Sequence, residues 1–114
     1  MINTVDTAEQ LSAAAFDARM VRVGPFLDCR NVALVRQQIN HAIAAGPGVI
    51  ALDMQELDGI DAVGLGMLAA AHLRADQAGC QLRLRGPRPS VRRVLAVTRL
   101  NRILRLDRPM HLSA

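Results

Sequence analysis

Tryptophan, tyrosine and lysine are all absent from this chain of 114 residues, so its fourteen basic residues are all arginine. Its two phenylalanines, Phe16 and Phe26, lie far from the arginine-rich end of the sequence. No stacking platform therefore accompanies that charge, which argues against nucleic-acid binding. Cys29 and Cys80 have no second cysteine near either of them. Such spacing fits neither a zinc half-site nor a disulfide framework and predicts two reduced, packed thiols. No apolar run approaches the roughly 18 residues of a membrane span, and "MINTVDTAEQ" lacks the basic start and apolar middle of a signal peptide. With its Ala/Arg-rich bias, the chain is expected to be a cytoplasmic module of bacterial type. Residues 13–89 also contain no Ser, Thr or Tyr.

Half of the chain is apolar, 51% by count, enough for one modest core. The charge is unevenly spread. From Arg83 onward nine arginines face one acid, Asp107, a net of +8, whereas residues 1–82 hold five arginines and nine acids, a net of −4. A basic end of this kind reads first as a solvated helix face with the polar sides of strands, and second as a surface for an acidic protein partner.

The hydrophobic period alternates along the chain. "RMVRV" (19–23) reads as a strand stopped by Gly24-Pro25. Asn31 is placed as a helix N-cap, and Val32, Val35, Ile39, Ala42 and Ile43 recur at helical spacing until Gly46-Pro47-Gly48. "VIALD" (49–53) is continuously apolar, the pattern of a strand at the centre of a sheet. A second helix over about 63–78 carries Leu65, Leu68, Ala69, His72 and Leu73 as its predicted stripe, with Gly79 as its stop. "QLRLR" (81–85) alternates with its arginines toward water. Pro89 suits a first helical turn, Val91, Val94, Leu95 and Thr98 mark a third helix, and "ILRL" (103–106) reads as a last strand. The order implies an α/β fold with a parallel or mixed sheet.

Chemistry-bearing clusters are sparse. Asp53, Glu56, Asp58 and Asp61 do not match the calcium-loop spacing and read as a solvated acidic loop, so no metal is expected. His41, His72 and His111 lie on different elements, none beside a cysteine or acid it would serve as a base. Phosphate loop, nucleophile elbow and paired catalytic carboxylates are all missing, so neither enzyme activity nor a cofactor is expected. What stands out is "LDGIDAVGLGMLAAAHLRA" (57–75), an acidic turn running into a helix. Asp61 is placed as its cap, Gly64 and Gly66 allow close packing or close approach of a partner, and Val63 must be buried by its own chain or covered by a partner.

"VRVGPFLDCRNVALVRQQI", "VIALDMQELDGIDAVGLGMLAAAHLRADQAGCQLRL" and "PSVRRVLAVTRLNRILRL" together resemble the STAS domain, the fold of bacterial anti-sigma factor antagonists. The resemblance implies a STAS-type mixed sheet of four to five strands with three to four helices. It divides the chain into an N-terminal segment (1–18) whose Leu11 to Phe16 gives either a first strand or a short helix, the domain itself (19–108), and a tail (109–114). In antagonist-type relatives a Ser or Thr just before "GLG" is phosphorylated by the anti-sigma kinase, and the phosphate blocks docking. Asp61 falls on the family's aspartate, Gly64-Leu65-Gly66 on its "GLG", and Val63 on the phosphorylated position.

The resemblance thus implies a docking surface over Asp61, Ala62, Val63, Gly64, Leu65, Gly66 and Met67 with no phosphorylation site. Its expected partner is an anti-sigma factor or related kinase-fold protein. The alternative is an accessory role in a membrane lipid-transporter complex, bound to its ATPase or permease, and a weak homodimer stays open. Two more departures from the family pattern are Pro25, where a glycine precedes "LD", and Arg99, where a glycine commonly ends the third helix.

Overall fold

The structure, a computed structural model, describes residues 19–107. Strand β1 (Met20–Arg22) is followed by β2 (Phe26–Leu27), helix α1 (Val32–Ala44), β3 (Gly48–Asp53), β4 (Gly59–Ile60), helix α2 (Ala62–Gln77), β5 (Cys80–Arg85), helix α3 (Pro89–Val97), a 3-10 turn (Leu100–Arg102) and β6 (Arg105–Asp107). The main sheet has the order β1-β3-β5-β6, and its three pairings are all parallel. Among the described residues the main sheet has four strands and the helices number three, within the expected counts, and β2 and β4 form a separate two-stranded sheet. The first strand or short helix expected at Leu11 to Phe16 lies outside the described residues.

Register explains both faces of the sheet. Val21, Leu52, Leu84 and Leu106 stand opposite one another across the four strands. The first three are buried in one apolar cluster with Val35 and Ile39 of α1, Leu68, Ala71 and Ala75 of α2, and Val91 and Leu95 of α3. On the alternate face the row Arg22, Asp53, Arg85, Asp107 runs across the same strands with alternating sign. Arg83, one pleat away, donates to the Asp107 carboxylate at 2.6 Å. Among the described residues the helices therefore lie on one face and this charged row on the other, each cross-strand pair contributing a few tenths to about 1 kcal/mol.

Most predicted faces hold. Val35 and Ile39 are the buried positions of α1, Val91 and Leu95 those of α3, and β3 occupies an interior place in the sheet. Four details differ. Helix α2 buries Gly64, Met67, Leu68, Ala71 and Ala75, not the stripe through Leu65 and Leu73, and Leu73 is 58% exposed. The small residues win that face because they let the helix lie close to β5. Asn31 stands at the N-cap of α1, but its side chain accepts from Asp28 N–H (3.1 Å) and donates to the Phe26 carbonyl (2.7 Å), serving the preceding turn and not the helix. Strand β6 starts two residues later than predicted because a 3-10 turn takes up the chain before it. Of the two thiols, Cys80 is buried and donates to the Gly46 carbonyl (3.3 Å), whereas Cys29 is exposed.

Arg99 does adopt a left-handed conformation, φ 65°, although it carries a Cβ. Arg19 donates its guanidinium to the Ala45 and Gly46 carbonyls at the end of α1, satisfying groups the helix leaves open. The revised face of α2 makes a direct prediction. Leu68→Ala should lower the unfolding free energy by about 2 to 5 kcal/mol, and Leu73→Ala by under about 0.5 kcal/mol. Urea titration would show comparable losses for the two variants if the predicted stripe, which holds both Leu68 and Leu73, were the buried one.

Candidate partner-docking site at the start of helix α2

Two loops meet at the carboxyl end of the sheet. The chain leaving β1 and the chain leaving β3 are joined by β2 and β4, which pair in parallel as Phe26↔Gly59 and Leu27↔Ile60. Each strand is two residues long, too short for an alternating pattern to be read in the sequence. Asp58 N–H donates to the Pro25 carbonyl (2.7 Å), and Met54 and Leu57 are fully buried beneath the second loop. Gly24, at φ 150°, lies so close to this loop that a Cβ would stand 2.8 Å from the Glu56 carbonyl oxygen.

Helix α2 starts from this joint. Asp61 is extended (φ −114°, ψ −173°), and its carboxylate accepts from Gly64 N–H at 3.0 Å while its carbonyl accepts from Leu65 N–H at 2.9 Å. The predicted cap is thus formed by both its groups. Gly64 faces inward, where a Cβ would come 2.5 Å from the Leu27 carbonyl oxygen and 2.9 Å from the Leu27 Cγ. Gly66 faces outward with nothing within 4 Å of such an atom. The two glycines therefore have different duties: one seats the helix, the other leaves a bare patch of backbone.

The seven predicted residues separate accordingly. Asp61, Ala62, Val63 and Gly66 are exposed and adjacent, Leu65 is half-buried, and Gly64 and Met67 are buried, so the last two position the surface without belonging to it. Val63 is 49% exposed, so the described residues leave about half of it uncovered.

A neighbouring cluster escaped the sequence reading. The Arg30 guanidinium bonds both carboxylate oxygens of Asp28, at 2.8 to 3.2 Å, and lies 3.7 Å over the Phe26 ring. Asp28 also accepts Arg30 N–H at 2.9 Å. These bonds hold the Asp28 carboxyl below the usual carboxylate range, and the same pairing raises Arg30, with a smaller contribution from Asp61. The signal was present in "FLDCRN", an aromatic two residues before an Asp-x-Arg pair, but the segment was read only as a helix start.

The acidic loop has its own tie. Arg88, at the start of α3, donates to the Gln55 carbonyl (2.7 Å) and pairs with Asp58. Among the described residues no three His, Cys, Asp or Glu side chains come together as a metal site. The site therefore offers a rigid helix start with an aliphatic tip, acidic shoulders and one guanidinium on an aromatic ring. Such a surface is suited to contact, and it holds no hydroxyl that would take a phosphate.

A family model described as "STAS domain" matches residues 10–113. The chain belongs to the STAS domain family. Among solved structures, this STAS domain is similar to a candidate anti-sigma factor antagonist of Thermotoga maritima, TM1081. Identity is 23% and the TM-score 0.69, over 84% of this chain and 85% of that one. An NMR structure of TM1081 gives 22% and 0.70, over 82% and 76%. The anti-sigma factor antagonist SpoIIAA in its unphosphorylated form gives 21% and 0.59, over 82% and 83%. At these identities the likeness is one of fold. No curated protein matches the chain.

Two expectations follow for this STAS domain. Gly64→Ala should cost about 1 to 3 kcal/mol because the Leu27 backbone must shift, while Gly66→Ala should stabilise by about 0.5 to 1 kcal/mol through helix propensity. Equal effects in urea unfolding would contradict the seating of Gly64. Arg30→Gln should raise the Asp28 titration midpoint toward the ordinary 3.8, followed by carboxyl NMR shifts against pH. A folded-state value below that of the unfolded chain means the pair stabilises above the ordinary carboxylate range and loses this effect on acidification.

Proposed function

We propose that this STAS domain is a non-enzymatic protein-binding module of the antagonist type, acting in bacterial transcription control in the cytoplasm. It docks an anti-sigma factor or related kinase-fold protein through Asp61, Ala62, Val63, Leu65 and Gly66, with Gly64 and Met67 holding that surface in place. The observation that carries this reading is Val63. A β-branched apolar side chain stands 49% exposed in the first turn of a capped helix, where the described residues leave about half of it open to a partner.

The absence of a hydroxyl changes the regulation. A phosphate at this turn would bring a dianion and its hydration into the contact, and valine cannot carry one. Binding is therefore constitutive, set by the amounts of the two proteins and not by a phosphorylation cycle. Gly66 assists by letting the partner's backbone approach the helix.

Calorimetry with an anti-sigma protein of the kinase fold from the same organism tests the reading. Val63→Asp should keep the thermal midpoint and weaken binding about tenfold or more, since a carboxylate would have to be desolvated in an apolar contact. With the same partner and ATP, wild type should remain unlabelled between residues 53 and 75, whereas Val63→Ser should accept phosphate there. Unchanged affinity in Val63→Asp would remove this helix start from the interface. Selective loss of a transporter ATPase or permease from a solubilised lysate would reassign the module to membrane transport.

A further inference from the structure

The basic end of the chain forms a second surface, whose far part, Arg99, Arg102 and Ile103, lies remote from the start of α2. Residues 89–106 contain Arg92, Arg93, Arg99, Arg102 and Arg105 and no acid, and none of the five guanidinium groups makes a hydrogen bond or ion pair among the described residues. Arg83 and Arg88, by contrast, are neutralised by Asp107 and Asp58. Two aliphatic side chains stand among the five: Val97 is 76% exposed and Ile103 53% exposed. Val97 follows Arg93 by four residues on α3, which places them side by side on the helix, and Ile103 directly follows Arg102 in a turn packed against α3.

Topology separates the two surfaces. Helix α3 starts from Arg88, tied to Asp58 at the end of the sheet where α2 begins, and runs away from it. Strand β6 then runs back, Arg105 opposite Arg83 and Asp107 opposite Arg85, so Arg99, Arg102 and Ile103 lie before its start, at the opposite end of the sheet. Arg99 adds an independent observation. Its φ of 65° is open to glycine without penalty and disfavoured for any residue with a Cβ. Strain of this kind is retained where the side chain is used.

We propose that this end of the molecule, formed by α3, the turn after it and β6, docks on the surface of an anionic lipid bilayer. The guanidinium groups take lipid phosphates, bidentate where geometry allows, and Val97 and Ile103 enter the headgroup boundary. Lipid fits better than nucleic acid because the patch presents aliphatic groups and no aromatic ring on which a base would stack. Contact is peripheral: among the described residues no helix is long and apolar enough to cross a membrane. Docked this way, the domain turns the start of α2 away from the bilayer.

Co-sedimentation of the full chain with phosphatidylcholine vesicles, with and without about one third phosphatidylglycerol, tests this. Wild type should bind only the anionic vesicles, and more weakly as salt rises. Each arginine removed in Arg93→Gln and Arg102→Gln should weaken binding about fivefold. Arg99→Gly should do the same while raising the thermal midpoint, an opposite pair of effects that a purely structural arginine would not produce. The charge-matched control Arg22→Gln with Arg36→Gln, on β1 and α1, should bind as wild type. Equal binding to neutral vesicles, equal loss in the control, or retention on duplex DNA or polyglutamate in place of vesicles would overturn the proposal.

Discussion

Parallel pairing of β1, β3, β5 and β6 is the constraint from which the rest of the molecule follows. Parallel neighbours cannot be joined by a tight turn, so the chain must return by a crossover after each strand. Helices α1, α2 and α3 make those returns, and each helix start falls at the same end of the sheet. There the loops leaving β1 and β3 have unpaired backbone groups in close proximity, and β2 and β4 satisfy them by pairing with each other. Helix α2 starts directly from β4, so its position is inherited from that pairing. Gly64 then completes the joint, because only a residue without a Cβ lets the helix backbone rest on the Leu27 carbonyl.

The same constraint turns an uneven sequence into a molecule with two ends. Among the described residues the buried set contains no polar or charged residue, so the charged residues reach the surface at places set by their positions along strands, helices and loops. Acids from the β3–α2 connection gather where helices begin. Arginines from the end of α3 onward gather where strands begin. Between them the sheet face opposite the described helices carries Arg22, Asp53, Arg85 and Asp107 in alternating order, a pattern that suits contact with water.

Within the proposed reading, the rigidity of the helix start replaces a chemical switch. Asp61 caps the helix, Arg30 is held on Phe26 by Asp28, and Asp58 is held by Arg88. A surface set in this way needs little ordering on contact, which favours binding without a covalent trigger. The basic end, on the far side, leaves that surface free when it is occupied itself.

What the residues alone determined is local and periodic. The apolar spacing of α1 and α3, the unbroken run of β3, the alternation of β5, the Asp61 cap and the family pattern "DAVGLGM" were all legible, because each depends on neighbours within a turn or two of chain. The buried face of α2 was not. That helix is apolar on most sides, and the choice fell to the side where Gly64, Ala71 and Ala75 permit close approach, a property of the surface it meets. Asn31 has the composition of a cap and the role of a turn brace, because the Phe26 carbonyl lies within its reach only in the folded chain. Strands β2 and β4, the Asp28–Arg30–Phe26 cluster and the exposure of Val63 likewise come from segments brought together by the sheet, and only tertiary structure decided them.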